Sequence, residues 1–127
     1  MKILNAKICS NGQIFDGEVT VDGERIASVT PKETSSSLDE TIIDAKGMYV
    51  IPGLLDVHFH GCVGYDTCDA SKEAFDKIAE YEGSEGVLAI CPATMTYPED
   101  KLSEIMDIAA DYESPVGADF VGLHLEG

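Results

Sequence analysis

Three apolar runs, LLDVHFH (Leu54–His60), VLAIC (Val87–Cys91) and FVGLHL (Phe120–Leu125), begin just over thirty residues apart. Between them lie two segments with helical periodicity. In the first, Ser71–Tyr81, Ser71 can cap, Glu73 sits in the first turn, and Ala74, Phe75, Ile78 and Ala79 make one apolar face. Gly83 and Gly86 close it. In the second, Pro98 opens the helix, Glu99 and Asp100 meet the positive end of its dipole, and Leu102, Ile105, Met106 and Ala109 repeat at helical spacing. Pro115 and Gly117 mark the break after it. Apolar strands joined by amphipathic helices predict a β-α-β-α-β order and a parallel sheet with right-handed crossovers. The spacing suits a (β/α)8 barrel or a doubly wound sheet. The first strand is not followed by a G-x-G-x-x-G turn, which argues against the nucleotide-binding form.

The stretch before Pro52-Gly53 has a different grammar. Lys2–Ile8 reads as a strand, and Glu18–Val21 and Arg25–Val29 flank Asp22-Gly23, a strong hairpin signal. Pro31–Thr41 (PKETSSSLDET) is polar and reads as a loop. Ile42–Asp44 and Met48–Val50 then flank a turn at Ala45-Lys46-Gly47. Residues 1–51 are therefore expected to form a small antiparallel β unit, and residues 52–127 an α/β unit.

Charge narrows the partners. Up to Ile51 there are 8 acids against 5 bases, and beyond it 16 against 3, so the two parts carry about −3 and −13 of the net −16. Such a surface repels nucleic-acid phosphates and anionic membranes. Asn5 and Lys7 interrupt any signal-peptide core near the N-terminus. The four cysteines, Cys9, Cys62, Cys68 and Cys91, show no C-x-x-C spacing and are expected to be reduced and mostly buried. A cytoplasmic protein with no nucleic-acid or membrane partner is the expectation.

The chemistry gathers at strand ends. Alternation along an extended chain puts His58 and His60 on one face with Asp56, and Val57 and Phe59 on the other. Barrel active sites lie at the C-terminal ends of strands. Two neutral imidazoles side by side there offer lone pairs to a shared divalent cation. The plainer alternative is a pair of hydrogen-bonded core histidines. By the same parity His124 and Glu126 share a face, with Glu126 nearer the strand's end as a third ligand and His124 one layer deeper. Alone, Glu126 would be a solvated carboxylate. Asp66 and Thr67, in the loop after the first run, are weaker candidates for substrate contact or support of the ligands, and a turn-stabilising role is as good a reading. Thr94 and Thr96 end the second run, where they face the site or start the next helix. Cys62 and Cys91 read as inert thiols.

The segment IPGLLDVHFHG resembles the first-strand signature of the amidohydrolase superfamily, P-G-x-x-D-x-H-x-H. HGCVGYDT, GVLAICPATMT and GLHLEG, together with the leading IDAKGMYVIPG, narrow the resemblance to the N-acetylglucosamine-6-phosphate deacetylase family, across the whole chain. The resemblance implies a metal-dependent (β/α)8 barrel beside a small β-sandwich, of which residues 1–51 would be part. Residues 52–127 would be the first three β/α units. It implies hydrolysis of the acetamide of N-acetylglucosamine 6-phosphate to glucosamine 6-phosphate and acetate. It further implies a divalent metal, zinc or iron, one or two per site, and a homodimeric full-length enzyme. Glu126 matches the family's metal-binding glutamate, and His58 and His60 match a pair that ligates a second metal in some members. The general base, two further histidine ligands and the phosphate-binding groups come in that family from later strands, so an N-terminal fragment, inactive alone, is expected. Two other readings stay open: an amidohydrolase acting on a cyclic amide or an N-acyl amino acid, and a non-catalytic interaction module.

Overall fold

A computed structural model of the chain describes residues 1–31 and 41–126. The expected loop at 31–41 thus lies, for positions 32–40, outside the described residues. The chain divides into two compact units, Met1–Pro52 and Gly53–Gly127.

The first unit is one mixed sheet of β1 (Lys2–Ser10), β2 (Gln13–Asp22), β3 (Arg25–Thr30), β4 (Ile42–Asp44) and β5 (Tyr49–Val50), ordered β3-β2-β1-β4 with β5 also on β1. The β2–β3 hairpin forms, but Asp22 pairs with Arg25, so the turn residues are Gly23 and Glu24, one position later than expected. Only Gly23 has positive φ, at 58°, which suits the first central position of a type II′ turn. The β1–β2 hairpin turns at Asn11-Gly12, with Ser10 paired to Gln13. Sequence reasoning passed over this turn, although Asn-Gly is itself a strong signal.

The expectation of a wholly antiparallel unit is corrected: β4 and β5 both run parallel to β1, pairing at Lys2–Leu4 and at Lys7–Ile8. The turn at Ala45–Gly47 is a jog, not a reversal. It sits opposite a bulge in β1 at Asn5, whose φ is 55° and whose Nδ2 donates to Asp44 Oδ1 at 2.9 Å. The Gly47 N–H donates to the Asn5 carbonyl at 2.7 Å, locking jog to bulge. Ala6, Ile8, Val19 and Ala45 form this unit's buried core.

The second unit contains β6 (Leu54–Asp56), a short hairpin of β7 (Gly61–Cys62) and β8 (Tyr65–Asp66), and a 3-10 turn at Thr67–Asp69. Helix α1 (Lys72–Ser84), β9 (Val87–Ile90), α2 (Glu99–Ala110) and β10 (Asp119–Phe120) follow. The order β10-β9-β6 is parallel, with a helix in each crossover, as the apolar spacing predicts. Ser71 caps α1 by accepting from the Ala74 N–H at 3.2 Å. Pro98 precedes α2, with Glu99 and Asp100 in its first turn.

Helix packing explains the core. Ile78 and Ala79 of α1 close over Ile90 and Ala118, while Phe75 meets Ile105, Tyr112 and Cys68. The rings of Phe75, Tyr112 and Phe120 lie 5.2–5.3 Å apart in every pairing. The end of α1 sits so close to Gly117 that a Cβ there would come 2.1 Å from the Ala79 carbonyl oxygen.

The strands are shorter and more open than expected. Regular pairing stops at Asp56 and at Phe120, and Leu54, Leu55, Leu88 and Val121 are exposed rather than buried. Of the four thiols only Cys68 is buried, because Cys9, Cys62 and Cys91 lie where cover is partial.

Candidate metal centre

Past the last regular strand residues the three segments stay in register through isolated backbone hydrogen bonds. The Cys91 N–H donates to the Asp56 carbonyl at 2.8 Å and the Ala93 N–H to the Phe59 carbonyl at 2.7 Å. On the other side of this middle segment, the His124 N–H donates to the Pro92 carbonyl and the Thr94 N–H to the His124 carbonyl, both at 2.9 Å. Residues 56–60, 91–94 and 121–126 therefore run side by side beyond the C-terminal ends of β6, β9 and β10.

Phe59 packs into the core with Ile78 and Ile90, so its neighbours His58 and His60 turn the other way. Their ring centroids are 5.4 Å apart, edge to face. Glu126 Oε1 lies 3.1 Å from His58 Nε2 and 3.7 Å from His60 Nε2. One donor atom from each of the three residues falls within 4.8 Å of the others. Zinc–ligand bonds of about 2.0–2.1 Å at a tetrahedral angle place donors about 3.3 Å apart. The two carboxylate–imidazole separations bracket that value and no donor pair exceeds 4.8 Å, so two imidazoles and one carboxylate could share a divalent cation after small side-chain adjustments, with positions left open. Among the described residues this is the group of three or more such side chains close enough to share an ion.

Asp56 does not join them. Its Oδ1 accepts from the His58 N–H at 3.0 Å, and its charge, after burial, helps push the Glu82 carboxyl of α1 above the usual carboxylate range. The strand-parity expectation fails at this residue because regular pairing ends there, after a register shift at Leu54/Leu55.

His124, two residues before Glu126, is exposed. Its ring stands edge-on to His58 with centroids 4.8 Å apart, and its Nδ1 is 3.3 Å from the Val57 carbonyl. A carbonyl only accepts, so this contact holds the proton on Nδ1.

Thr94 and Thr96 touch Glu126 through its backbone. The Glu126 N–H donates to Thr94 Oγ1 at 3.4 Å, and Thr96 Oγ1 donates to the Glu126 carbonyl at 3.1 Å. Asp66 caps the 3-10 turn, accepting from the Cys68 N–H at 2.7 Å while its own N–H donates to Asp69 Oδ2 at 2.9 Å. Thr67 is fully buried, and both its N–H and its hydroxyl reach the His60 carbonyl. The sequence offers Asp66 and Thr67 as turn-stabilising or ligand-supporting residues and Thr94 and Thr96 as residues near the site, but not their partners, because each acts on a main-chain atom rather than through a motif. Cys62 stays outside the cluster; burial, then the Glu82 charge, pushes its thiol up.

No protein-family model matches the chain. It is 28% identical over 127 residues to N-acetylglucosamine-6-phosphate deacetylase of Bacillus subtilis, covering 96% of this chain and 32% of that protein. It is 34% identical over 99 residues to dihydroorotase of Staphylococcus epidermidis, covering 77% of this chain and 23% of that protein. The crystal structure of N-acetylglucosamine-6-phosphate deacetylase from Thermotoga maritima superposes with a TM-score of 0.78 at 28% identity, covering 100% of this chain and 32% of that one. By sequence and by fold alike, the chain is related to the N-acetylglucosamine-6-phosphate deacetylases of the amidohydrolase superfamily and spans about a third of their length.

Proposed function

We propose that His58, His60 and Glu126 are ligands of a divalent cation, zinc or iron, in a hydrolase that removes the acetyl group of N-acetylglucosamine 6-phosphate. The observation that carries this reading is the approach of the Glu126 carboxylate to both imidazoles from a different strand end. In the same proposal residues 1–51 contribute to a small β-sandwich, and residues 52–127 are the first three β/α units of a (β/α)8 barrel. The parallel order of β6, β9 and β10 and the position of the cluster beyond their C-terminal ends support that placement.

His58, His60 and Glu126 would hold a divalent cation, which would supply Lewis acidity toward an amide carbonyl and lower the pKa of a bound water. The chain's own residues do the rest of what falls to this region. Glu126 brings a negative charge that favours a cation over the two imidazoles alone. Thr94 and Thr96 hold the Glu126 main chain, and Asp56 holds the His58 N–H.

A second reading, hydrolysis of a cyclic amide, is favoured by the higher identity to dihydroorotase. Incubating a full-length enzyme in which this chain supplies the first three β/α units with N-acetylglucosamine 6-phosphate and, separately, with dihydroorotate separates the two, while residues 1–127 alone should release no acetate. Metal-dependent acetate release by the full-length enzyme, abolished by chelation and by His58→Ala, is expected. Ring opening without acetate release would replace the deacetylase reading with the cyclic-amide one. Equilibrium dialysis of zinc against parent, His58→Ala and Glu126→Ala proteins tests the ligands; undiminished binding in both variants would make these residues structural.

A further inference from the structure

His60 differs from an ordinary ligating histidine. Such a ring usually donates its second N–H to a carbonyl or carboxylate, which fixes its orientation. His60 Nδ1 is buried and has no hydrogen-bond partner. Something other than the ring's far nitrogen must set its aim.

The His60 carbonyl oxygen accepts twice from a single residue, from the Thr67 N–H at 2.8 Å and from Thr67 Oγ1 at 2.7 Å. A carbonyl has two lone pairs, and Thr67 fills both. Thr67 is 0% exposed, so its hydroxyl has no water to turn to. It opens a 3-10 turn whose start is fastened reciprocally by Asp66 and Asp69. Between His60 and Thr67 the chain folds back as the β7–β8 hairpin, where Gly61 pairs with Asp66 so closely that a Cβ on Gly61 would fall 2.1 Å from the Tyr65 carbonyl oxygen. The main chain at His60 is thus pinned on its C-terminal side by a closed hairpin and a capped turn.

We infer that Thr67 is a positioning residue for His60: its hydroxyl and N–H clamp the His60 carbonyl and so aim the imidazole at the cation that His58 and Glu126 share. The inference rests on the metal-centre reading above and adds what holds one ligand in place. Valine at 67 keeps the branched shape but presents a methyl where the hydroxyl stands, and a methyl cannot approach a carbonyl oxygen to 2.7 Å. Serine keeps the donor.

The test is Co2+ affinity of the full 127-residue chain, with the visible absorption of the bound ion as a second readout. Thr67→Val should weaken binding about 10-fold or more and alter the cobalt band, while Thr67→Ser stays within about twofold of the parent. In a His60→Ala background, Thr67→Val should add no further loss. Parent-like cobalt affinity in Thr67→Val would overturn the clamp while leaving the metal centre standing. A further loss in the His60→Ala background would also overturn it. Should Thr67→Val not fold, Thr67→Ala, which likewise lacks the hydroxyl, must show the same loss. A parent chain that binds no cobalt sinks the metal-centre reading, and the clamp with it.

Discussion

Replacing Glu126 with glutamine keeps the side chain's shape and removes its charge. Glu126 Oε1 lies 3.1 Å and 3.7 Å from the two imidazole Nε2 atoms, so it is well placed to ligate a shared cation. With free zinc at about 100 times the parent's Kd, binding adds about 2.7 kcal/mol to stability. Removing an outer partner of a metal ligand weakens binding by up to about 100-fold, and loss of a ligand's charge should do at least as much. At the same zinc concentration the variant would then gain only about 0.4 kcal/mol. The difference, ~2.3 kcal/mol, corresponds to about 9–18 °C in Tm for a unit the size of Gly53–Gly127. Thermal melts followed by circular dichroism, with zinc and with chelator, read this directly. Metal-free melts should nearly coincide, since an exposed contact of this kind contributes less than about 1 kcal/mol. If zinc raises the variant's Tm as much as the parent's, Glu126 is not a ligand and the reasoning from donor spacing fails.

Phe75→Ala, at a ring only 1% exposed and against two other aromatic rings, should cost about 3–5 kcal/mol in urea unfolding; a loss under about 1 kcal/mol would mean the aromatic cluster is not tightly packed. Gly117→Ala should cost about 2 kcal/mol or more, because φ is 83° and the new Cβ meets the Ala79 carbonyl; an unchanged Tm would rule out that close approach. Burial, and then the hydrogen bond and charge of Asp76 against an opposing contact from Ser114, push the Tyr112 phenol up to about 12. Its folded pKa exceeds the unfolded value of about 10, so its contribution is full below pH 10 and is lost as pH rises toward 12. Phenolate absorbance should show a step near pH 12 that Tyr112→Phe removes; a step that survives would assign it to another tyrosine.

Much of the α/β unit was legible because its signals are local. Ser71 is followed by a helical apolar face, Pro98 by two acids, and each prediction needs only a few neighbouring residues. His58 and His60 were legible as a pair because Phe59 between them is apolar and goes to the core. Asp56 was not, since strand parity holds only while regular pairing lasts, and pairing stops there. The parallel placement of β4 and β5 was hidden for another reason: an apolar pattern reports that a strand is half-buried, not which neighbour it pairs with or in which direction. Thr67, Thr94 and Thr96 were legible as candidates near the site but their partners were not, because they act on carbonyl and amide groups, and hydroxyls leave no spacing pattern when their partners are main chain.

The cluster's three donors come from two strand ends separated by the middle segment that follows β9, and the contacts beside it join residues far apart in the chain, as with Val57 and His124, 67 positions apart. Both crossovers must close before Glu126 can reach the imidazoles. Contacts of that range form late, because loop-closure entropy is spent before they return anything. A cation shared by the three, as proposed, would bind only the state in which β6, β9 and β10 are all registered. Its arrival during refolding would therefore time the last step of sheet assembly, and its dissociation would mark the first fraying of β10.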